Sequence, residues 1–384
     1  MRLILIDGNE ANVEQTVGVS VYTTNILTQF KRYASHDVRF CVYLRNQPRL
    51  HLPRENQYFR YKVVFGPVMW LKFFLPMRLM WDYSIQQLRS MLHLPNIRFH
   101  AFFAPAHYSP PYLPNKCKLV VTIHDLAYEF FPDEFLKRDL FKLRRWTLES
   151  VAKASSIIAV STNTKQDVVR VYNIPENQVY AVPNGFTTWQ GPISKQTTLI
   201  NGHDYHIVPY KYVLYVGTLQ PRKNITTLIY AFALFHKENP DYKLIIAGKK
   251  GWLYEQIFSL AHKLKIDHAV HLVGYVSDQE KMYLYSKAMC FVLPSLYEGF
   301  GLPILEAFSA SCPVICSNVS SLPEVGGSAA IYFDPKQANS LVDKLRNLEQ
   351  DLKLRHECVE RGEIQAKKFS WEHCAESTLQ ILLK

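Results

Sequence analysis

The chain has 384 residues, 48% of them hydrophobic, and a net charge of +11, which is too long for one small core and points to two globular domains. Met1–Ile6 reads as a buried strand rather than a leader, and no run of about 20 apolar residues occurs, so neither a secretory signal nor a membrane span is expected. The seven cysteines are scattered, odd in number and without ligand spacing, which predicts reduced thiols in a cytosolic protein rather than a disulfide framework or a zinc module.

The charge is uneven. Residues 1–185 carry 23 Lys and Arg against 14 Asp and Glu, a net +9, and the remainder 21 against 19, a net +2. A basic first half suits an acidic partner, such as an anionic membrane surface or a phosphate-bearing acceptor; solvated charge without a partner is the alternative. Nucleic acid is disfavoured, because no RNA-recognition or helix-turn-helix signature stands out.

Short apolar runs alternate with amphipathic stretches. Strands are predicted at Leu3–Ile6, Arg39–Tyr43, Lys62–Phe65, His100–Phe103, Leu119–Ile123, Ser156–Val160 and Val179–Val182. Helices are predicted between them at Val19–Tyr33, Met77–Leu92, Arg138–Ala154 and Asn163–Tyr172. The stretch Val63–Trp81 is apolar but broken by Gly66, Pro67, Lys72, Pro76 and Arg78, and Trp70–Leu75 with the helix behind it reads as interfacial, as core or as a lid. Periodicity then fails over residues 185–210, and the domains are set at 1–190, a linker at 191–210, 211–368, and a last helix at 369–384 opened by Ser370 as N-cap. The second domain repeats the rhythm with strands Tyr212–Val216, Leu244–Ala247, Val270–Val273, Met289–Leu293 and Val314–Cys316. Its helices are Ile225–Lys237, Leu253–Leu264, Asp278–Lys287, Pro303–Ala310 and Ala338–Leu348. Such alternation predicts an α/β protein of two doubly wound, Rossmann-like sheets with a cleft at their carboxyl ends.

Four constellations carry chemistry. Glu298-Gly-Phe-Gly-Leu-Pro-Ile-Leu-Glu306 follows an apolar strand: its glycines permit close backbone approach, and Pro303 suits the first position of a helix. Free N–H groups there attract anions, with Glu298 in the loop and Glu306 in the first turn to accept hydroxyl hydrogen bonds. Gly217-Thr218-Leu-Gln-Pro-Arg222-Lys223-Asn224 sets two cations beyond a strand, suited to a diphosphate or merely solvated. Thr122-Ile-His124-Asp125 delivers a histidine whose tautomer Asp125 is expected to set; a structural histidine is the alternative. Gly18-Val19-Ser20 opens the first helix but lacks the Gly-x-Gly-x-x-Gly fingerprint, and Asn184-Gly185 reads as a tight turn. No Asp-x-Asp or His/Cys cluster is present, so no metal site is expected.

Together these phrases, with Val182-Pro-Asn-Gly185 and the closing Phe369-Ser-Trp-Glu372, make nearly the whole chain resemble a family 4 glycosyltransferase of GT-B fold, most similar to mannosyltransferase-like members that build bacterial surface polysaccharides. The resemblance implies retaining, metal-independent transfer of a hexose from a nucleoside diphosphate sugar, GDP-mannose as first choice, to a glycan or lipid diphosphate-linked acceptor. It implies no separate cofactor; the cysteines predict a cytoplasmic protein, and the basic N-terminal domain offers peripheral contact with an anionic membrane as one use of its charge. By the same resemblance Glu298 holds donor-sugar hydroxyls and Glu306 the ribose. Phe300, Gly301 and Leu302 meet sugar and phosphate through the backbone, while Lys223 and Arg222 neutralise the leaving diphosphate. His124 lines the sugar pocket, and Gly18, Gly217 and Thr218 border the donor. Many members carry Arg where this chain has Thr218, leaving Arg222 as its substitute, and often Gly where it has Ser20. Rival readings are a non-catalytic sugar-nucleotide-binding or scaffold subunit, a GT-B epimerase, and a dehydrogenase.

Overall fold

The computed structural model describes the whole chain apart from residues 15–17, 68, 94–96, 190–198, 250 and 252–254, with residues 199 and 255–258 described as backbone only. The chain divides into two compact units, one of residues 1–129, 136–185 and 370–384, the other of residues 130–135 and 186–369.

The first unit holds strands β1 (Arg2–Asp7), β2 (Val38–Leu44), β3 (Phe59–Val63), β4 (Arg98–Ala104), β5 (Lys118–Ile123), β6 (Ser156–Ala159) and β7 (Val179–Ala181). All pair in parallel, in the order β3-β2-β1-β4-β5-β6-β7. Helices α1 (Val19–Tyr33), α2 (Leu75–Met91), α3 (Ala127–Phe130), α4 (Lys137–Lys153) and α5 (Thr162–Tyr172) connect them. Continuous apolar strands such as Leu119–Ile123 are what a sheet covered on both faces requires. β3 begins at Phe59, three residues before the predicted Lys62, because Phe59 is fully buried and pairs opposite Phe40. Moving that ring by one residue would turn it out of the core.

Residues 199–204, expected to be part of an irregular linker, form an antiparallel hairpin of β8 (Leu199–Ile200) and β9 (His203–Asp204). Asn201 and Gly202 both have positive φ, 53° and 76°, the pattern of a two-residue type I′ turn, and Asn-Gly is its strongest sequence signal. Asn201 fastens the hairpin by donating to the Val273 and Tyr275 carbonyls at 2.7 and 3.0 Å.

The second unit continues with β10 (Tyr212–Val216), β11 (Lys243–Ala247), β12 (Val270–Gly274), β13 (Cys290–Leu293), β14 (Val314–Ser317) and β15 (Ile331–Phe333), parallel in the order β12-β11-β10-β13-β14-β15. Its helices are α6 (Ile225–Glu238), α7 (Glu255–Lys263), α8 (Asp278–Lys287), α9 (Leu302–Ser309), α10 (Leu322–Gly326), α11 (Ala338–Gln350) and α12 (Leu352–Ala366). The predicted start of α7 at Leu253 lies outside the described residues. β15, α10 and α12 have no counterpart among the predicted elements. α12 carries Gly362 in its interior, which lowers helix propensity, yet a Cβ there would lie 2.6 Å from the Phe308 ring of α9, so the glycine is what lets the two helices touch.

The last helix, α13 (Trp371–Leu383), packs on α1 and β4. Trp371, Cys374, Ala375, Ile381 and Leu382 share one buried core with Ile4, Ile6, Tyr22 and Phe30. Ser370 caps it, accepting from the His373 N–H at 3.1 Å. Gly185 is more than a turn residue: a Cβ there would sit 2.2 Å from the Trp371 nitrogen. Gly185→Val should therefore push α13 off its seat and destabilise the first unit by about 1–3 kcal/mol, the usual cost of overpacking. Urea denaturation followed by circular dichroism measures it, and an unchanged midpoint would remove this contact from the account.

Candidate active site

In a sheet of order 3-2-1-4-5-6 the connections leave in opposite directions between strands 1 and 4, which opens a crevice at their carboxyl ends. In the second unit those strands are β10 and β13. The two most informative motifs are the loops that leave them, residues 217–224 and 294–301.

Backbone contacts fix the first loop. Gly217 and Leu219 donate to the Ala247 and Lys249 carbonyls at 2.9 and 3.0 Å. The approach leaves no room for side chains on the β11 side: a Cβ on Gly248 would lie 1.9 Å from the Gly217 oxygen, and one on Gly251 2.4 Å from the Leu219 oxygen. These two glycines were missed from the sequence, although they follow an apolar strand. At the loop's far end Asn224 adopts φ 56°, a left-handed conformation that Asn tolerates better than most residues. Its buried amide donates to the Pro294 carbonyl at 3.1 Å and the Pro335 carbonyl at 2.9 Å, and its Oδ1 accepts from Thr227 at 2.7 Å. One side chain thus joins the ends of β10, β13 and β15.

Glu298 is the best-buried carboxylate of the constellation. Its Oε1 receives Lys223 Nζ at 2.5 Å and Ser295 Oγ at 2.7 Å, and its Oε2 faces Arg222 at 3.6 Å. Burial would raise its pKa, but the charges of Lys223 and Arg222 and the hydrogen bonds from Lys223 and Ser295 outweigh that and hold the carboxyl below its usual range. Arg222 also donates to the Tyr297 carbonyl at 3.0 Å. Two hydroxyls shape the loop behind: Ser320 accepts from the Glu298 N–H at 3.0 Å, and Ser321 donates to the Glu298 and Phe300 carbonyls at 2.9 and 2.7 Å. Neither serine was singled out from the sequence.

Gly301 caps α9 at φ 114°, a conformation that favours glycine, and no side chain caps the first turn. Leu302 is the first helical residue and Pro303 the second, one position later than predicted. Glu306 is correspondingly in the second turn, not the first. It is paired along the helix surface, its Oε1 with Lys281 Nζ at 2.7 Å and its Oε2 with the Tyr285 hydroxyl at 3.2 Å. Thr218 offers its carbonyl to the Tyr215 hydroxyl at 3.2 Å. The structure therefore joins Gly217, Thr218, Arg222, Lys223 and Glu298 through two loops, runs on through Phe300, Gly301 and Leu302, and turns Glu306 toward α8.

His124 and Gly18 belong to the first unit. Gly18 has φ 44° at the start of α1, and a Cβ there would meet none of the described atoms within 4 Å. His124 follows β5, and its Nε2 donates to the Pro105 carbonyl at 2.7 Å. That carbonyl, not Asp125, sets the tautomer; Asp125 instead accepts from the Ala127 N–H at 3.0 Å. The neighbouring His107 accepts from the His124 N–H at 3.0 Å and stacks on its ring at 5.9 Å. His107 too went unnoticed in the sequence, just past the end of β4. Among the described residues no three His, Cys, Asp or Glu side chains gather as a metal set, and all seven cysteines are free.

Two family models match the chain, Glycosyltransferase Family 4 over residues 17–190 and Glycosyl transferases group 1 over residues 206–365. It is 36% identical over 270 residues to the O-antigen chain mannosyltransferase B of Escherichia coli, an overlap of 70% of this chain and 71% of that protein. It is 28% identical over 270 residues to the serotype-specific mannosyltransferase WbdA of Escherichia coli, covering 68% of this chain but 33% of WbdA, about a third of its length. Among solved structures, HepE of Anabaena in complex with UDP and glucose aligns at a TM-score of 0.68 and 16% identity over 100% of this chain and 99% of that one. That likeness is one of fold, the GT-B pair of Rossmann-like units.

Burial, then the adjacent His107, lower the His124 pKa from 6.5 to about 4. Between those values the unfolded chain takes up a proton that the folded chain refuses, so stability falls as pH drops through this window and is fully present above it. His124→Gln should flatten the fall of Tm between pH 6.5 and 4. Identical slopes for both proteins would mean that the ring is not held neutral.

Proposed function

The chain belongs to the glycosyl transferases group 1, and we propose that it moves a hexose, mannose as first choice, from a nucleoside diphosphate sugar to a hydroxyl of a glycan or lipid diphosphate-linked glycan during surface polysaccharide synthesis. The observation that carries this reading is the Lys223–Glu298 pair at 2.5 Å, set where the loops after β10 and β13 meet. A second support is the 36% identity to an O-antigen chain mannosyltransferase.

The chemistry asks for two things. As the sugar leaves, positive charge grows at the anomeric carbon and negative charge on the departing diphosphate, so preorganised donors beside that diphosphate lower the barrier. Lys223 donates to Glu298. Its positive charge, with the amides around Gly301 at the head of α9, suits the diphosphate oxygens. Arg222 serves mainly by tying the Tyr297 carbonyl and facing Glu298. Glu298, kept ionised, has lone pairs left for sugar hydroxyls. Glu306 stays charge-balanced by Lys281 while retaining lone pairs for a ribose. In the first unit, neutral His124 offers Nδ1 as an acceptor for a hydroxyl proton, because Nε2 carries its hydrogen to Pro105.

We assign the transfer to the retaining, metal-independent, family 4 type. Retention is inherited from the resemblance: among the residues assigned here none is poised as a nucleophile, and the departing phosphate can take the acceptor's proton on the same face. GDP-mannose is the donor to try first, with UDP-sugars as the alternatives.

The deciding experiment is transfer by the isolated chain with a panel of nucleoside diphosphate sugars. Lys223→Ala should lower turnover by roughly 10²–10³, as when a preorganised oxyanion donor is removed. Near-normal turnover in a folded variant would release Lys223 from this role, and nucleotide binding without any transfer would favour a scaffold subunit. Addition of EDTA should leave the rate unchanged; a loss restored by Mg²⁺ would overturn the metal-independent assignment.

A further inference from the structure

Phe130-Phe-Pro-Asp-Glu-Phe135 joins α3 to α4 but packs with the second unit, whereas Glu129 before it and Leu136 after it belong to the first. Pro132, Asp133 and Glu134 form a single 3₁₀ turn, closed by the Glu134 N–H on the Phe131 carbonyl and the Phe135 N–H on the Pro132 carbonyl, both at 3.1 Å. Proline holds the backbone of so short a turn, so the side chains around it leave in set directions. The Phe130 and Phe131 rings meet the buried Tyr297 ring with centroids 5.2 and 6.3 Å away, within the range of aromatic pairs that attract. The Glu134 carboxylate accepts from the backbone N–H of Arg222 and lies in the field of Arg222 and Lys223.

These contacts converge on Arg222, which the loops after β10 and β13 already share. Its carbonyl accepts from the Leu296 N–H at 2.8 Å, and its guanidinium donates to the Tyr297 carbonyl at 3.0 Å. Its own N–H is the backbone group that Glu134 takes. Arg222 is the second residue of the 3₁₀ turn Pro221–Lys223, whose cap residue Gln220 makes no side-chain hydrogen bond. The first N–H groups of a helical turn find no partner within it, and a carboxylate oxygen is among the best that can be brought to them. Glu134 brings one from a distant segment. Lys223 is the next residue, so the place of its backbone follows from how Arg222 is held. Burial pushes the Glu134 pKa up by more than the Arg222 hydrogen bond and the two cations pull it down. At Glu298 the cations win instead. Glu134 is thus less a counter-ion than a fastening, while the two phenylalanines press on the residue whose carbonyl takes the Arg222 guanidinium.

We propose that residues 130–135 are a positioning strap for the donor loops: Glu134 caps the turn that carries Lys223, and Phe130 and Phe131 hold Tyr297. The strap acts through Arg222 rather than on the substrate. Its bearing on turnover rests on the reading that Lys223 faces the leaving diphosphate; the cap itself is a property of the protein without ligand.

Hydrogen exchange of the full chain without nucleotide, read by mass spectrometry over residues 217–224, tests the cap. Glu134→Ala should speed exchange there by roughly fivefold, the effect of a lost cap. Glu134→Gln keeps an acceptor oxygen and should exchange like the parent. Phe130→Ala should speed exchange over residues 294–301, and no change there would release the rings from this role. In transfer assays Glu134→Ala should lower kcat by roughly tenfold and alter the donor KM less, because a misplaced Lys223 loses stabilisation made only in the transition state. Glu134→Gln should recover most of that loss. Asp133→Ala removes the neighbouring exposed carboxylate and should change neither exchange nor kcat. Unchanged exchange in Glu134→Ala overturns the proposal, as does a raised KM at constant kcat or a Gln variant as slow as the Ala variant. A parent that transfers from no donor sinks the donor reading instead, and the exchange result then decides the cap on its own.

Discussion

A carboxylate taken out of water must be paid for by partners, and Glu298 is where the second unit meets that demand. An unpaired ion in a half-dry loop would shift its pKa and neutralise; Lys223, Arg222 and Ser295 prevent this. Two of those partners come from the loop after β10 and one from the loop after β13. The ion pair therefore fixes one loop against the other, and the neutral bonds of Asn224, Ser320 and Ser321 fix the backbone that carries it. Removing either charge leaves the other stranded, so the pair specifies geometry more than it adds stability. Preorganised geometry is also what electrostatic catalysis of glycosyl transfer uses.

The parts of this arrangement written in consecutive residues were legible in the sequence. Continuous apolar runs announced the parallel strands, and carboxylates spaced around two glycines announced a strand–loop–helix with Glu298 and Glu306 upon it. What the sequence hid was every relation between distant segments. Gly248 and Gly251 look like ordinary loop glycines until the Gly217 and Leu219 carbonyls press on them. Lys281 gives no sign that it faces Glu306, because the pair is 25 residues apart and joins two helices. His124 invited Asp125 as its partner by adjacency, but residues adjacent at a strand end diverge, and a carbonyl 19 residues away took the place. The Asn201-Gly202 turn is a different kind of miss. Its signal was local and strong, and the polar composition around it concealed the two short strands.

The two units put similar sheets to unlike uses. In the second, charge is nearly balanced overall, and the loops after β10 and β13 set Arg222 and Lys223 against Glu298. In the first, cations exceed acids by nine across residues 1–185, and two thirds of that excess lies on α2, the turn before it and α4. The first unit is also completed by α13, which arrives after the whole second unit has been traversed and buries Trp371 beside Tyr22 with ring centroids 6.1 Å apart. Its core is thus not finished by residues 1–185 alone, and stability of the first unit depends on the end of the chain.

The pairing of Lys223 with Glu298 bears on how tightly a diphosphate would be held under the proposed reading. Arg222 and Lys223 together bring two positive charges, Glu298 pairs with both and Glu134 also lies within their field, so little positive charge is left over before any ligand arrives. A surplus that small draws an anion without locking it in place, which matters for an enzyme whose leaving group must itself depart before the next turnover. The amides at the start of α9 add partial charge that acts only over the first turn. Stabilisation is then concentrated on the oxygens that gain charge as the sugar leaves, and spread little over the rest of the nucleotide. Binding the departing state better than the arriving one is the condition for catalysis, and a cation already half-committed to a neighbouring carboxylate is one way to satisfy it. Under the proposed reading, negative charge building on the phosphate would draw Lys223 toward that oxygen and leave the Glu298 carboxylate freer to hold the sugar hydroxyls.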